Sequence, residues 1–333
     1  MKIRKSIIFL LIVSSLLLTF SACGKKYKNI ELNEIEYEFD VVKYDVPDPN
    51  HLLIEQGIIT DEIFFNRIEE KLYTLCDGVI YRIVEINDNE KAWAIQKLEY
   101  PYEQWDTTII KHDEWEKDFS YALEHCAITP KGVVKLILSR VYEDVTYYFF
   151  TEWHKGRKLA FKDVTDKYGE MAFLNTTWVI DGMGNNYFYN NSYLKVFNML
   201  FGERKDYAFS GILDDIVLDN DKNAYYVGLL DDYSYKGIYD KYTKAPVIME
   251  EYAKLLPEEK YSCVWNGDND LIVVDNTNIK KLSVKDMGVY SFNDDGIEMD
   301  EIHAVTQYEN VVYLLGSQKN SDCLLMISEV EKN

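Results

Sequence analysis

The sequence predicts an all-β fold, a β-propeller of about six blades standing behind a cleaved export signal. Two observations lead there first. The clearest is the run from Trp178 to Tyr189, where two β-rich stretches flank Asp181-Gly182-Met183-Gly184-Asn185, a centre whose residues accept the positive φ angles of a tight hairpin. Weaker copies of this strand–turn–strand unit recur at intervals averaging about 48 residues, a spacing that suits four-stranded sheets stacked around an axis. The composition agrees: 47% of the 333 residues are apolar, 14% aromatic and 27 are tyrosine, a residue with a flat apolar ring and a wet tip that suits half-exposed sheets. The intervals are uneven, so five or seven blades also fit the pattern.

Taken in order, the chain opens with Lys2, Arg4 and Lys5, then an apolar run from Ile7 to Leu18 that falls short of the ~20 residues a membrane span needs. The junction Phe20-Ser21-Ala22-Cys23 resembles the lipobox of bacterial lipoproteins, although Phe20 stands where an aliphatic residue is usual. That resemblance implies that residues 1–22 are a signal peptide, that Cys23 carries the lipid as the mature N-terminus, and that the protein is held at the extracytoplasmic face of the cell membrane. Residues 23–45 then read as a lipidated tether, basic at Lys25, Lys26 and Lys28, followed by a strand that would complete the last sheet and close the ring. Residues 46–333 are the propeller.

Removing residues 1–22 lowers Lys+Arg from 36 to 33 against 57 acidic residues, a net charge of −24. Such a surface argues against nucleic acid as a partner. Nothing in the sequence calls for an oligomer, and a monomer is expected. Cys76, Cys126, Cys263 and Cys323 are widely spaced and lie in apolar runs, so free buried thiols are expected, with a Cys76–Cys323 bridge across the ring closure as the alternative.

The first unit is read from Ile63-Phe64-Phe65, a charged turn at Arg67–Lys71, Leu72–Leu75, the Asp77-Gly78 hairpin, Val79–Val84 and a strand over Ala92–Tyr100. The second runs over residues 106–166, with the turn Thr129-Pro130-Lys131-Gly132 and, over Asp113–His125, a short helix or a strand, of which the spacing of Trp115, Phe119 and Leu123 favours the helix. The third is the opening hairpin plus Tyr193–Phe197. The fourth joins Ile216–Leu218 to Ala224–Leu229 through Asp219–Asn223, with a strand near Lys236–Tyr239 and a helical turn within Val247–Leu256. The fifth and sixth are read over Cys263–Val284 and His303–Ile327.

Chemistry is harder to find. No nucleophile elbow, phosphate loop, dinucleotide fingerprint or paired-histidine ligand motif is present, and the five histidines have no ligand spacing. No cofactor is called for. Asp219, Asp221 and Asn223, like Asn266, Asp268 and Asp270, alternate as Ca²⁺ ligands do in a loop. Leu230 stands where a bidentate Glu would be needed, however, and Asp and Asn fill hairpin turns without any ion. Trp153, Trp178, Tyr187, Tyr225, Tyr233 and Trp265 are candidates for stacking on a ligand, with packing between blades as the simpler role for Trp178 and Trp265.

The function expected is a membrane-anchored binding or scaffold protein that meets a protein or glycan partner through the propeller face, without catalysis. Two alternatives stand beside it. One is a glycan-active enzyme using acidic residues in the central funnel, where pairs such as Asp214-Asp215, Asp231-Asp232 and Asp294-Asp295 would be drawn on. The other is an accessory to a solute transporter.

Overall fold

The computed structural model describes residues 33–36, 39–49, 74–86, 92–111, 121–154, 160–168, 176–248, 250–257, 261–265, 267, 270–274, 279–283, 288–292, 299–319 and 321–329. The chain divides into Met1–Asn33 and Glu34–Asn333, and the second unit is the propeller. Cys23 and the basic tether lie outside the described residues, as do Ile63–Phe65 and the Arg67–Lys71 turn.

Six antiparallel sheets are formed by the described residues. The first contains β3 (Thr74–Cys76), β4 (Val79–Ile86), β5 (Ala92–Leu98) and β6 (Asp106–Lys111). The second contains β7 (Ala122–Ile128), β8 (Val134–Tyr142), β9 (Val145–Trp153) and β10 (Lys162–Asp163). Three-stranded sheets follow: β11 (Thr177–Ile180), β12 (Asn186–Asn190) and β13 (Tyr193–Phe197), then β14 (Gly211–Leu218), β15 (Ala224–Leu230) and β16 (Gly237–Asp240). Isolated bridges, Phe197 to Glu203 and Tyr239 to Pro246, extend these two sheets outward. The fifth sheet is β17 (Ser262–Trp265), β18 (Asp270–Val274), β19 (Ile279–Ser283) and β20 (Gly288–Phe292), flanked by β1 (Asn33–Glu36). The sixth is β21 (Glu301–Tyr308), β22 (Val311–Gln318) and β23 (Ser321–Glu329), and its outer strand is β2 (Phe39–Asp45), which pairs with β23 from Phe39↔Glu329 to Asp45↔Cys323. An early strand thus closes the ring against the last sheet. The only helical elements α1 (Thr165–Tyr168), α2 (Glu250–Ala253) and a 3₁₀ turn at Lys205–Tyr207 among the described residues are short.

Each sheet is small and apolar on both faces, so it is stable only when neighbours cover it. The buried clusters lie between blades accordingly. Ile137 and Phe150 of the second sheet meet Trp178 and Phe188 of the third, with Trp178 stacked on Phe188 at 5.2 Å. Tyr187 and Val196 of the third meet Leu213 and Tyr226 of the fourth, and Ile272 and Val274 of the fifth meet Leu314 and Ile327 of the sixth. Ile80 and Leu98 of the first meet Leu315 and Leu324 of the sixth, which seals the ring. Each fully buried aliphatic or aromatic side chain contributes about 1.5–3 kcal/mol, so the joints between blades carry much of the stability. Gly78 sits at the sealing joint with φ 77°, and a Cβ there would lie 2.8 Å from the Tyr313 ring.

Two expectations need correction. Asp106–Lys111 is the outer strand of the first sheet, paired with β5, and does not open the second unit. The helical insert over Asp113–His125 does not hold at its C-terminal end, because Ala122–His125 belongs to β7. A bulge between Leu123 and His125 breaks the two-residue alternation of that strand, which removes the period that would have marked it.

Candidate functional site

The first strand of each sheet stands innermost, and β3, β7, β11, β14, β17 and β21 follow one another around the axis. Between them runs a channel of about 300 Å³, walled by one stretch from every inner strand, including Cys76, Cys126, Val179, Val217, Val264 and Val305. The wall mixes aliphatic and thiol side chains with polar groups at Asp77, Asp215, Lys222, Ser262, His303 and Gln307. β21 is open to the channel, since none of its eight residues is fully buried, whereas β22 behind it is buried along most of its length.

At the hairpin-turn end, the Lys222 ammonium meets the Asp77 carboxylate at 2.5 Å. Asp77 belongs to the β3–β4 turn of the first blade and Lys222 to the β14–β15 turn of the fourth, so the pair joins opposite blades. Each partner is about one-quarter exposed. Lys222 has φ 64°, and its carbonyl accepts from the Gly182 N–H at 2.8 Å, which ties the third blade's turn to the same place. A Cβ on Gly182 would come within 2.9 Å of the Lys222 Cβ, so a side chain there would crowd the lysine stem.

The remaining carboxylates near the channel are engaged. Asp215 Oδ1 accepts from the Tyr189 hydroxyl at 2.5 Å and from the Ile216 N–H at 2.8 Å. Its neighbour Asp214 accepts from the Tyr261 hydroxyl at 3.2 Å and pairs with Lys236 at 2.7 Å. Burial, reinforced by these carboxylates, holds the Tyr189 and Tyr261 hydroxyls protonated far above the usual tyrosine range. His303 lies 3.4 Å from Asp322.

Thiols form part of the wall. Cys76, Cys126, Cys263 and Cys323 are all free, so the Cys76–Cys323 bridge is not made. Burial pushes the Cys126 thiol up to about 11, and burial with the adjacent Asp77 charge does the same for Cys76. Cys263, fully buried, is raised further by burial and then by Asp215 and Asp214. These are poor nucleophiles at neutral pH and act as small apolar wall groups.

The alternating acids divide between turn chemistry and ion pairing. Asp219 Oδ1 accepts from the Asn223 N–H at 2.7 Å and Oδ2 from the Asn223 side-chain amide at 3.1 Å, so the carboxylate closes its own hairpin. Asp221 is exposed, and Asp270 pairs with Lys281 at 3.5 Å; Asn266 and Asp268 lie outside the described residues. Among the described residues no three His, Cys, Asp or Glu side chains come together as a metal site.

The same Asp-to-Asn device recurs one blade earlier, and there it is buried. Asp181 Oδ1 accepts from the N–H groups of Met183 and Asn185 at 3.0 and 2.9 Å. Its Oδ2 accepts from the Asn185 amide and the Tyr187 hydroxyl, both at 2.8 Å, and from Lys241 Nζ at 3.2 Å. Lys241, which follows β16, was not distinguished in the sequence by any motif. It is the counter-charge of a buried carboxylate, and its ammonium also lies over the Tyr207 and Tyr242 rings at 5.8 and 5.3 Å.

Of the aromatic candidates, Tyr187, Trp265 and Trp178 are 0%, 3% and 7% exposed, placed in the packing between blades, with Trp178 also reaching the channel wall. Trp153, Tyr225 and Tyr233 are half-buried. Tyr225 lies 6.4 Å from Trp265, ring to ring, and burial followed by the Asp219 charge pushes its hydroxyl up to about 12. Tyr233 packs on Tyr239 at 5.2 Å. The six rings do not form one platform: those of the third, fourth and fifth blades pack into their own joints, and Trp153 ends β9 in the second.

No family model and no curated protein matches the sequence. Solved structures are similar in fold. The extracellular domain of BT4673 from B. thetaiotaomicron, described as a one-component system, shares 14% identity at a TM-score of 0.40, over 83% of this chain and 38% of that one. A gluconolactonase from Xanthomonas campestris shares 8% at 0.40, over 78% and 89%. PorZ, a surface component of the type-IX secretion system of Porphyromonas gingivalis, shares 10% at 0.39, over 80% and 39%. This chain spans about two fifths of the first and third of these proteins, and at such scores the likeness carries no argument about activity.

Proposed function

We propose that this protein is a lipid-anchored extracytoplasmic recognition module, held to the membrane through Cys23, which takes a small ligand into the central channel of the propeller. The carrying observation is the channel itself: about 300 Å³, contributed to by all six inner strands and barred at one end by Lys222 and Asp77. An enclosed concave space that mixes aliphatic walls with convergent polar groups is a form that small-molecule sites take, and this channel has both kinds of wall. Support for binding over glycoside hydrolysis comes from the lining carboxylates. Asp77 is held by Lys222, and Asp215 by Tyr189 and the Ile216 N–H, whereas hydrolysis needs two carboxyls free to face each other across a sugar. The anchor is supported by the lipobox resemblance, and no described helix is long and apolar enough to cross a membrane.

The channel is tested by a thermal-shift screen of the full chain in detergent against amino acids, short peptides and organic acids. A ligand at about 100 times its Kd adds about 2.7 kcal/mol and raises Tm measurably. Val179→Phe, which fills the channel from one wall, abolishes that shift while the unliganded Tm stays within a few degrees; a shift that survives it places the ligand elsewhere. Labelled palmitate tests the anchor: the wild-type chain incorporates it and Cys23→Ser does not.

A further inference from the structure

A second cavity, of about 160 Å³, opens beside the channel at the hairpin-turn end, between the fifth and sixth blades. Its floor is aliphatic, made by Ile272 of β18, Val312 of β22 and Ile327 of β23, the upper edge of the core between those two sheets. Its rim is polar and rich in amides: Asn220 from the fourth blade's turn, Gln307 at the end of β21, and Asn310 from the turn after it. Of the three charged residues in the wall, Asp270 and Lys281 face each other at 3.5 Å and so compensate one another, which leaves the exposed Glu309 at the rim. Gln307 forms part of the wall of both cavities. Its Nε2 donates to the Glu309 carbonyl at 3.4 Å, while its buried Oε1 has no donor among the described residues.

We infer that this cavity is a binding site for a single neutral hexopyranose unit, resting by its C–H face on Ile272, Val312 and Ile327 with its hydroxyls against the Asn220, Gln307 and Asn310 amides. The match is chemical. A primary amide offers donors and an acceptor together, and a hydroxyl needs both, so three amides around an aliphatic floor present what one face and edge of a pyranose present in reverse. Charge compensation between Asp270 and Lys281 disfavours an anion, which would have to part that pair and would also face the Glu309 carboxylate at the rim. Size limits the ligand to one ring. The orphaned Gln307 acceptor gives the amide reason to reorient when a hydroxyl arrives, since an unmet buried acceptor is costly. The site is independent of the channel reading: its only shared group is the Gln307 wall.

The test uses the full chain in detergent micelles and saturation-transfer NMR with methyl β-D-glucopyranoside, methyl β-D-galactopyranoside and methyl α-D-mannopyranoside, each at about 10 mM, a range that detects millimolar Kd values. At least one glycoside is expected to show transfer strongest at its ring C–H protons. Asn220→Ala and Asn310→Ala, both at exposed turn positions, are each expected to weaken it about tenfold, the loss that follows removal of a polar partner. Val179→Phe in the channel is expected to leave it unchanged, which separates this site from the channel. The inference is overturned if none of the three glycosides binds, if binding is lost in Val179→Phe but kept in both asparagine variants, or if alanine binds where the glycosides do not. Circular dichroism of each variant confirms that a loss is not unfolding.

Discussion

Asp181 and Asp77 each stand in the first hairpin turn of a blade, and each is met by a lysine of the fourth blade, but their surroundings differ. The Asp181–Lys241 pair joins neighbouring blades with side chains 0% and 3% exposed, and the carboxylate accepts four further hydrogen bonds from its own turn and from Tyr187. The Asp77–Lys222 pair joins opposite blades across the channel, with both partners about one-quarter open to water. Distance alone misleads here, because the shorter contact, 2.5 Å, is the less buried one and the longer, 3.2 Å, is sealed. Water decides the worth of each. Removing one member of a buried pair strands a desolvated charge, whereas an exposed pair is largely replaced by solvent.

The strongest way to break that comparison is Lys241→Met. It leaves Asp181 without its cation inside the joint between the third and fourth blades, and the expected loss is about 3–5 kcal/mol, read as a lower urea midpoint at unchanged slope. An effect below about 1 kcal/mol would mean that the turn amides and the Tyr187 hydroxyl satisfy Asp181 by themselves, and that the two pairs do not differ in kind.

How much of this was open to sequence reasoning follows the range of the interactions. The Asp77-Gly78, Asp181–Asn185 and Asp219–Asn223 turns were legible because their chemistry is local: a carboxylate reaching back-bone and side-chain amides four residues on needs no knowledge of the fold. The run Phe39–Asp45 was legible as a strand by its alternation, and its place beside β23 followed from the ring. Lys241 was not, because a lysine in a polar turn looks the same whether it points to water or to a carboxylate one blade away. Asp106–Lys111 was assigned to the wrong sheet for a related reason, since strand identity is carried by alternation and sheet membership by pairing. β20, the fourth strand of the fifth sheet counted from the channel, was missed among the acidic and glycine-rich residues around Gly288–Phe292. The aromatic candidates were chosen as rings able to stack on a ligand, and Trp178, Tyr187 and Trp265 lie buried between blades, because a ring in a short sheet serves packing as readily as recognition.

A smaller effect sharpens the role of the channel wall beside Asp77. Cys76 and Cys126 have thiols pushed up to about 11 from an ordinary 9.0, chiefly by burial. The unfolded chain releases these protons near pH 9 and the folded chain near pH 11. Their contribution to stability is therefore complete below pH 9 and is lost as pH rises through 11, by about 1–2 kcal/mol for each thiol. Urea unfolding measured from pH 8 to pH 11 is expected to show that decline, and the Cys76→Ala, Cys126→Ala double variant to flatten part of it. A slope unchanged in the double variant would assign the decline to the raised tyrosines instead.

The smallest expected change belongs to Lys222→Met, and its smallness is the informative part. Both groups remain hydrated when separated, so the loss should stay below about 1 kcal/mol, and the double-mutant coupling between Lys222→Met and Asp77→Asn should lie near 0.5 kcal/mol. The same cycle on Lys241→Met and Asp181→Asn should exceed about 2 kcal/mol, because each single variant there strands the other partner in the core. Added salt should narrow the Asp77–Lys222 coupling and leave the buried one nearly unchanged, as expected for charges on either side of the solvent boundary. A bar across the channel that is cheap to open is what a ligand entering from the hairpin-turn end requires. If the Asp77–Lys222 coupling instead matched that of Asp181–Lys241, the mouth would be a fixed plug, and ligand entry would have to come from the opposite end of the ring.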